Sequence, residues 1–329
     1  MISSLLSRKR PAFLAATLAG CLTAGASLSA QAVDSVHFLI PGGAGGGWDG
    51  TARGTGEALS KSGLVDSVSY ENMSGGGGGK AIAHLIEVAD QAEDTLMVNS
   101  TPIVIRSLSK VFPQSFRDLT PVAATIGDFG AFVVAADSKY QSFEQLVADY
   151  LDNPRSVGVA GGSARGSMDH LVAAMAFKAA GGDPVRVKYL AYDAGGKAMA
   201  GLLSGEAQVL STGFSEALAL AEAGEVRILA MTGDERSAAA PEVPTLKELG
   251  YDASFVNWRG FFGAPGLADA KVAEYTEMLE KMYDTPEWET VRSRYGWTEI
   301  FKPDAQFVAF LEQQEKEVGE LMRELGFLK

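Results

Sequence analysis

Short apolar runs alternate with amphipathic stretches along most of this 329-residue chain, and glycine-rich turns join one to the next. That alternation predicts strands covered by helices, the layout of a mostly parallel sheet with helical layers. Residues 36–40 read as a strand, 51–61 as a helix, 68–71 as a strand, 80–91 as a helix and 96–99 as a third strand. In the second of these helices Ile82, Leu85, Ile86 and Ala89 recur at the spacing of one buried face. The result is a βαβαβ unit, half of a doubly wound domain.

A second unit begins near Ala131, where AFVVAA reads as a buried strand, and Ser142 with Gln145 fits a capping box for a helix ending near Leu151. Strands at 157–160, 186–190, 208–211 and 226–231 then alternate with helices at 168–180, 196–203 and 215–223. After the proline-rich stretch 241–244, the segment FVNWRGFFGAP reads as a strand returning to the first unit. The remainder to Leu325 is helical, broken near Pro286 and by a short strand at 297–301. Two α/β lobes follow from this pattern: 33–130 with 254–329, and 131–253.

The first 32 residues have the makeup of an export signal. Arg8, Lys9 and Arg10 precede an apolar stretch at 12–28 and the small-x-small site Ala30-Gln31-Ala32, so the mature chain is expected to begin at Val33. Leu18-Ala19-Gly20-Cys21 also fits the pattern in which the cysteine is lipidated, although the small apolar residues after Cys21 suit cleavage after Ala32 better. Removing the segment leaves 297 residues with a net charge of −16 and no cysteine, so core packing must hold the fold without disulfides. No other run approaches the ~20 apolar residues of a membrane span. An acidic chain without a basic cluster argues against nucleic acid, yet local N–H groups can still prefer a small anion.

Residues 41–53 read PGGAGGGWDGTAR, a turn almost without side chains that follows the strand VHFLI and opens a helix, a ready cradle for a phosphate or a carboxylate. Gly45, Gly47 and Gly50 satisfy the dinucleotide fingerprint, and Glu71 stands where a ribose-binding acid belongs. Against an exported dinucleotide-dependent enzyme, Asp49 would set a carboxylate beside a pyrophosphate. The run Ser74–Gly79 before Lys80 lacks the first glycine and the final hydroxyl of a P-loop, and Arg165 stands where a hydrolase elbow needs glycine. Only His37, His84 and His170 could serve a triad; His37, in a strand, and His84, in a helix, read as structural, and the three show no metal-ligand spacing. No catalytic, cofactor or metal site is expected.

What remains is a set of anion-binding loops at the C-terminal ends of predicted strands in both lobes, where open α/β sheets bind ligands. The candidate ligand-binding residues are Gly43, Ala44, Gly45, Gly46, Gly47, Trp48 and Asp49 from the first turn, Ser74 and Gly75 from the second, and Ser100 and Thr101 from the third. The second lobe adds Gly162, Ser163, Ala164, Arg165, Gly166, Ser167, Tyr192 and Thr212, and the returning strand adds Arg259. Several have a plain alternative. Arg53 and Arg259 could form salt bridges, Trp48 could pack between lobes, and Asp49 could cap the helix it opens, unless it holds a water or a ligand hydroxyl.

The ordered series PGGAGGGWDGTAR, ENMSGGGGGK, AGGSARGSMDHL, Tyr192 before LLSGEAQV, VRILAMTGDERSAAAPEVPTLKELG and WRGFFGAP strongly resembles the extracytoplasmic substrate-binding proteins of tripartite tricarboxylate transporters, over residues 33–329. That resemblance implies a two-lobed periplasmic binding protein fold of type II-like form, with hinge crossover strands near 122–136 and 255–265. It also implies closure around a small carboxylate held by backbone N–H groups of residues 43–49 and 162–167, and delivery to large and small membrane permease subunits. Trp258-Arg259-Gly260 looks most like the tricarboxylate-binding branch, which makes citrate or a close relative the expected ligand. The chain departs from the family's usual form in the extra glycines and Trp48 of the first loop, and in Tyr192-Asp193-Ala194-Gly195 where Tyr-x-Gly is usual. A sensor that binds the same ligand but signals instead of feeding a permease is the alternative.

Overall fold

A computed structural model describes residues 33–329; the export signal, its cleavage site and Cys21 lie outside the described residues. The chain runs β1 (Val33–Ile40), α1 (Gly47–Lys61), β2 (Val65–Asn72), α2 (Gly79–Glu87), β3 (Thr95–Ser100) and α3 (Thr101–Ser109) into β4 (Thr120–Ala135). There follow α4 (Phe143–Asp152), β5 (Gly158–Gly161), α5 (Met168–Ala179), β6 (Lys188–Ala191), α6 (Gly195–Leu203), β7 (Val209–Gly213), α7 (Phe214–Glu222) and β8 (Val226–Met231). The chain ends through β9 (Val256–Gly263), α8 (Asp269–Tyr283), α9 (Pro286–Tyr295), β10 (Thr298–Pro303) and α10 (Asp304–Glu324).

The strands lie in the order β2-β1-β3-β9-β4-β7-β5-β6, with β8 and β10 also paired to β4. The outer pairs β1 with β2 and β3, and β5 with β6 and β7, are parallel, as the βα alternation predicts. The central ones are antiparallel: β9, which enters after the long stretch that follows β8, runs against both β3 and β4, and β4 runs against β7 and β8. The sheet is therefore mixed, and it holds a two-lobed α/β fold.

β4 joins the two halves. From Thr120 to Phe129 it pairs with β9, and from Gly130 to Ala135 with β7 and β8. Sequence pattern predicts only its second half, from Ala131; Pro121, Gly127, Asp128 and Gly130 mask the rest. Both faces of β4 are nevertheless buried, which supplies the packing that the local sequence does not advertise. One core cluster fills a face of the first half around Phe38, Ile40, Leu59, Trp288 and Trp297, and another fills a face of the second around Phe214, Leu202 and Met231. A third runs under both from Leu39 to Phe262 through Phe132 and Phe177.

Local signals are mostly honoured. Pro286 opens α9 behind the Thr285 cap, whose hydroxyl accepts from Trp288 N, and Gly296 closes that helix at φ 63°. The capping box expected at α4 does not form: the Ser142 side chain makes no cap bond, and Gln145 Oε1 accepts from Gln141 N at 2.8 Å, one residue too early.

Candidate ligand-binding cleft

Six of the ten helices described, α1, α2, α3, α5, α6 and α7, bring N-terminal residues to one cleft between the loops of the two halves. Each follows a strand or a glycine turn directly, so the unpaired N–H groups and positive ends of six helices face a common space. The cleft has two chambers, of about 70 and 260 Å³, which share Trp48, Pro102, Gly162, Ser163 and Asp193 in their walls. Trp48 is held in place by its indole N–H, which donates to Ser100 Oγ at 2.8 Å.

The loops meet closely because side chains are missing where they touch. A Cβ on Gly43 would come within 2.9 Å of Ala194 Cβ, and one on Gly162 would fall on the backbone of Gly195. A Cβ on Gly47 would strike the Arg259 guanidinium, and one on Gly195 the Glu216 carboxylate. Glycine here serves close approach, across the two halves at Gly43 and within one half at Gly47, Gly162 and Gly195.

The smaller chamber is lined by Gly43, Gly46, Gly47 and Ser100 from the first half and by Gly162, Ser163, Asp169, Ala194, Gly195 and Glu216 from the second, with Asn257 and Arg259 from β9. Arg259 is 2% exposed and fully engaged at its tips: Nη1 donates to Gly47 O and Thr51 Oγ1, both at 3.0 Å, and Nη2 donates to Asp128 Oδ2 at 2.8 Å. Asp128 also accepts from the Ser215 N–H and hydroxyl, so the pair ties β9, β4, α1 and α7 together. Of the two readings for Arg259, the salt bridge is the one formed, although the residue also lines the chamber.

Two further carboxylates stand in this chamber. Burial pushes Glu216 up to about 8, with Asp169 and Asp128 adding to the shift and Arg259, 3.7 Å away, and the Thr212 hydroxyl opposing it. Asp169, 5% exposed, is pushed up to about 6 by burial, against the hydroxyl of Ser163 and the N–H groups of Ser163 and Gly162. The second-lobe N–H groups expected to face a ligand therefore already face a carboxylate of the chain itself.

The larger chamber is lined by Ser74, Gly75, Gly77 and Gly78 with Arg106 from the first half, and by Ala164, Arg165, Ser167 and Tyr192 from the second. Arg106 is 6% exposed; Nη1 donates to Gly76 O at 2.8 Å, and burial lowers it to about 10, with no carboxylate beside it among the described residues. Ser167 Oγ, on a residue 4% exposed, has no hydrogen-bond partner among the described residues. Arg165 is exposed and donates through Nη2 to Tyr189 O. Tyr192 donates its hydroxyl to Glu206 at 2.6 Å.

Some candidates stand behind the walls. Asp49 does not cap α1: Gly46 is the capping residue, and Asp49 Oδ2 accepts from Gly45 N at 3.0 Å while Oδ1 accepts from Arg53 Nε and Asn72 Nδ2. It braces the loop from behind and offers the cleft nothing, and Arg53 is thereby a salt-bridge residue. Ala44, Gly45, Gly166, Thr101 and Thr212 line neither chamber, Gly166 N donating to His170 Nδ1 and Thr101 N to Asn257 Oδ1. His37 bonds Ser69 and approaches Glu71 at 3.6 Å, away from the cleft, so neither joins the cleft lining.

Arg106, Asp169 and Glu216 were not among the sequence candidates. Arg106 is the single charge in the helix TPIVIRSLS, and Glu216 lies in the first turn of α7, directly after the STG end of β7. A charge inside an apolar helix that starts at a strand's C-terminal end is the signal that could have found the first.

A family model described as tripartite tricarboxylate transporter family receptor matches residues 51–327. Among curated proteins, the chain is 30% identical to the protein BugT of Bordetella pertussis over 223 residues, 66% of each chain. It is 24% identical to a UPF0065 protein in the gbd 5' region of Cupriavidus necator over 295 residues, 89% of this chain and 88% of the other. Among solved structures it is similar to the periplasmic binding protein BugD, at a TM-score of 0.79 with 19% identity, covering 89% of this chain and 98% of that one. MatC from Rhodopseudomonas palustris with bound malate gives a TM-score of 0.75 at 20% identity over 88% and 99%. An R. palustris protein with adipate gives 0.76 at 19% identity over 89% and 97%.

Proposed function

The chain belongs to the tripartite tricarboxylate transporter receptor family, and from that premise we propose that it captures a small carboxylate between two lobes in the periplasm and hands it to membrane permease subunits. The observation that carries the reading is the convergence of six helix N-termini on one cleft, an arrangement that favours negative charge. Family and similar structures are solute-binding proteins, so the ligand is held and released without chemistry. No described helix is long and apolar enough to cross a membrane, in keeping with a receptor that meets its permease as a separate subunit.

We take the lobes to be 33–130 with 254–329, and 131–253, opening and closing about β4 and β9. β4 runs from the first half into the second, and β9 lies beside its first-half residues, which supports a hinge at this point. Closure brings Gly43 and Gly46 against Ala194 and Gly195.

Citrate or a close relative is the finer reading that the sequence resemblance suggests. Such a trianion would gather its carboxylates around Arg106 and Arg165, because the smaller chamber already holds those of Glu216 and Asp169. Malate and adipate, bound in two of the similar structures, set the size class of the other candidates. Titration calorimetry of the mature protein against mono-, di- and tricarboxylates is the test. Micromolar binding of at least one is expected; no heat and no thermal stabilisation with any of them would end the carboxylate reading.

A further inference from the structure

The two chambers are lined by opposite charges. In the larger one, among the described residues, Arg106 is buried without a carboxylate beside it, Ser167 Oγ has no partner, and Arg165 bonds a backbone carbonyl. A buried cation in that state is costly unless an anion joins it. Ser74, Gly75, Gly77 and Gly78 bring the N-terminal end of α2 to the same space, which adds N–H donors to the guanidinium. Asp193, on the wall common to both chambers, is exposed and paired with Lys197 at 3.1 Å, so it does not neutralise Arg106.

The smaller chamber is the reverse. Its lining holds Glu216 and Asp169 against Arg259, which is already bound to Asp128. The helix N-termini around it face the chain's own carboxylates. A ligand carboxylate placed there would stand beside two carboxyl groups that burial already disfavours as anions, whereas a cation would stabilise their charged forms.

We infer, on the basis of the carboxylate-binding reading above, that the ligand is a zwitterion: its carboxylate sits in the larger chamber against Arg106 and Ser167, and its cationic nitrogen enters the smaller one beside Glu216 and Asp169. Trp48, on the wall shared by the chambers, packs against the carbon chain between the two charges. The several carboxylates that the family resemblance suggests give way to one carboxylate and one ammonium or related cation. A guanidinium or imidazolium in place of the ammonium satisfies the same two subsites.

Calorimetry on the mature protein with matched pairs that differ only at one end tests this: succinate with β-alanine, glutarate with γ-aminobutyrate, and adipate with δ-aminovalerate. At the best-fitting length the amino member should bind at least tenfold more tightly than its dicarboxylate partner. Glu216→Gln should weaken the amino member at least tenfold and tighten the dicarboxylate. If that variant unfolds, Asp169→Asn serves with the same expectation. Dicarboxylates binding more tightly than their amino partners at every length, or Glu216→Gln leaving the amino member unaffected, would overturn the zwitterion while the carboxylate reading stands. Failure of both series, together with citrate and malate, would overturn both.

Discussion

The two chambers of the cleft are built from the same materials, strand ends, glycine turns and helix N-termini, yet one holds an unneutralised guanidinium and the other an excess of carboxylates. Backbone N–H groups make a cleft hospitable to anions in general, while a few side chains decide which charge goes where. Glycine turns place the ligand, and Arg106, Glu216 and Asp169 sort its ends.

The difference between the chambers can be broken most severely at Arg106. Arg106→Gln leaves a shorter, neutral polar side chain and should weaken any carboxylate ligand about a hundredfold, ~3 kcal/mol, as expected for a buried charge-assisted pair. Calorimetry that shows less than a threefold change would mean the larger chamber holds no carboxylate. Next in size is Gly195→Ala, which sets a methyl group on the Glu216 carboxylate. Overpacking of this kind is worth ~1–3 kcal/mol, so affinity should fall about tenfold with a slower approach of the two loops by stopped-flow fluorescence of Trp48.

The third prediction concerns pH and sharpens the acidic side. Burial raises Glu216 from 4.5 to about 8, so between those values the folded chain binds more protons than the unfolded one. Stability of the unliganded protein should therefore fall as pH rises through that window, with Asp169 contributing in the same sense between 3.8 and about 6. Asp128, Asp169, Arg259 and Thr212 all face Glu216, so the change belongs to the cluster and not to one group. Urea midpoints at acidic and alkaline pH check it: Glu216→Gln should shrink the difference, and an unchanged difference would place the titration elsewhere. The smallest effect is expected at Arg165. It is exposed and already bonded to Tyr189 O, so Arg165→Ala should cost binding no more than ~1 kcal/mol, read by the same calorimetry.

Much of this was legible in the sequence because the first turn, the second turn and the 162–167 loop each follow a predicted strand and carry few side chains. Such loops can only be turns at strand ends, and strand ends are where the cleft lies. Trp48, Ser100, Gly162 and Ser163 were found by that route and line the smaller chamber. The charges that distinguish the chambers were not. Arg106 is hidden in an apolar helix, and Glu216 looks like an ordinary first-turn acid, of the kind that favours a helix N-terminus anywhere. Asp49 was conspicuous for the wrong reason: its carboxylate is used by Gly45, Arg53 and Asn72 behind the loop. The antiparallel place of β9 between β3 and β4 is likewise invisible in periodicity, since it depends on partners more than a hundred residues away.

That same placement of β9 orders events in time. β1, β2 and β3 are synthesised first, but the strand that joins them to β4 is made only after residues 131–253 have emerged, and β10 and α10, which also pack on β4, come last. The middle segment can complete its helices and its parallel strands while the earlier one still lacks its neighbours. A nascent chain stopped before residue 256 therefore carries an open sheet edge at β3, the edge to which β9 later bonds. Truncations at that point should aggregate through this edge, whereas chains that reach α10 bury it.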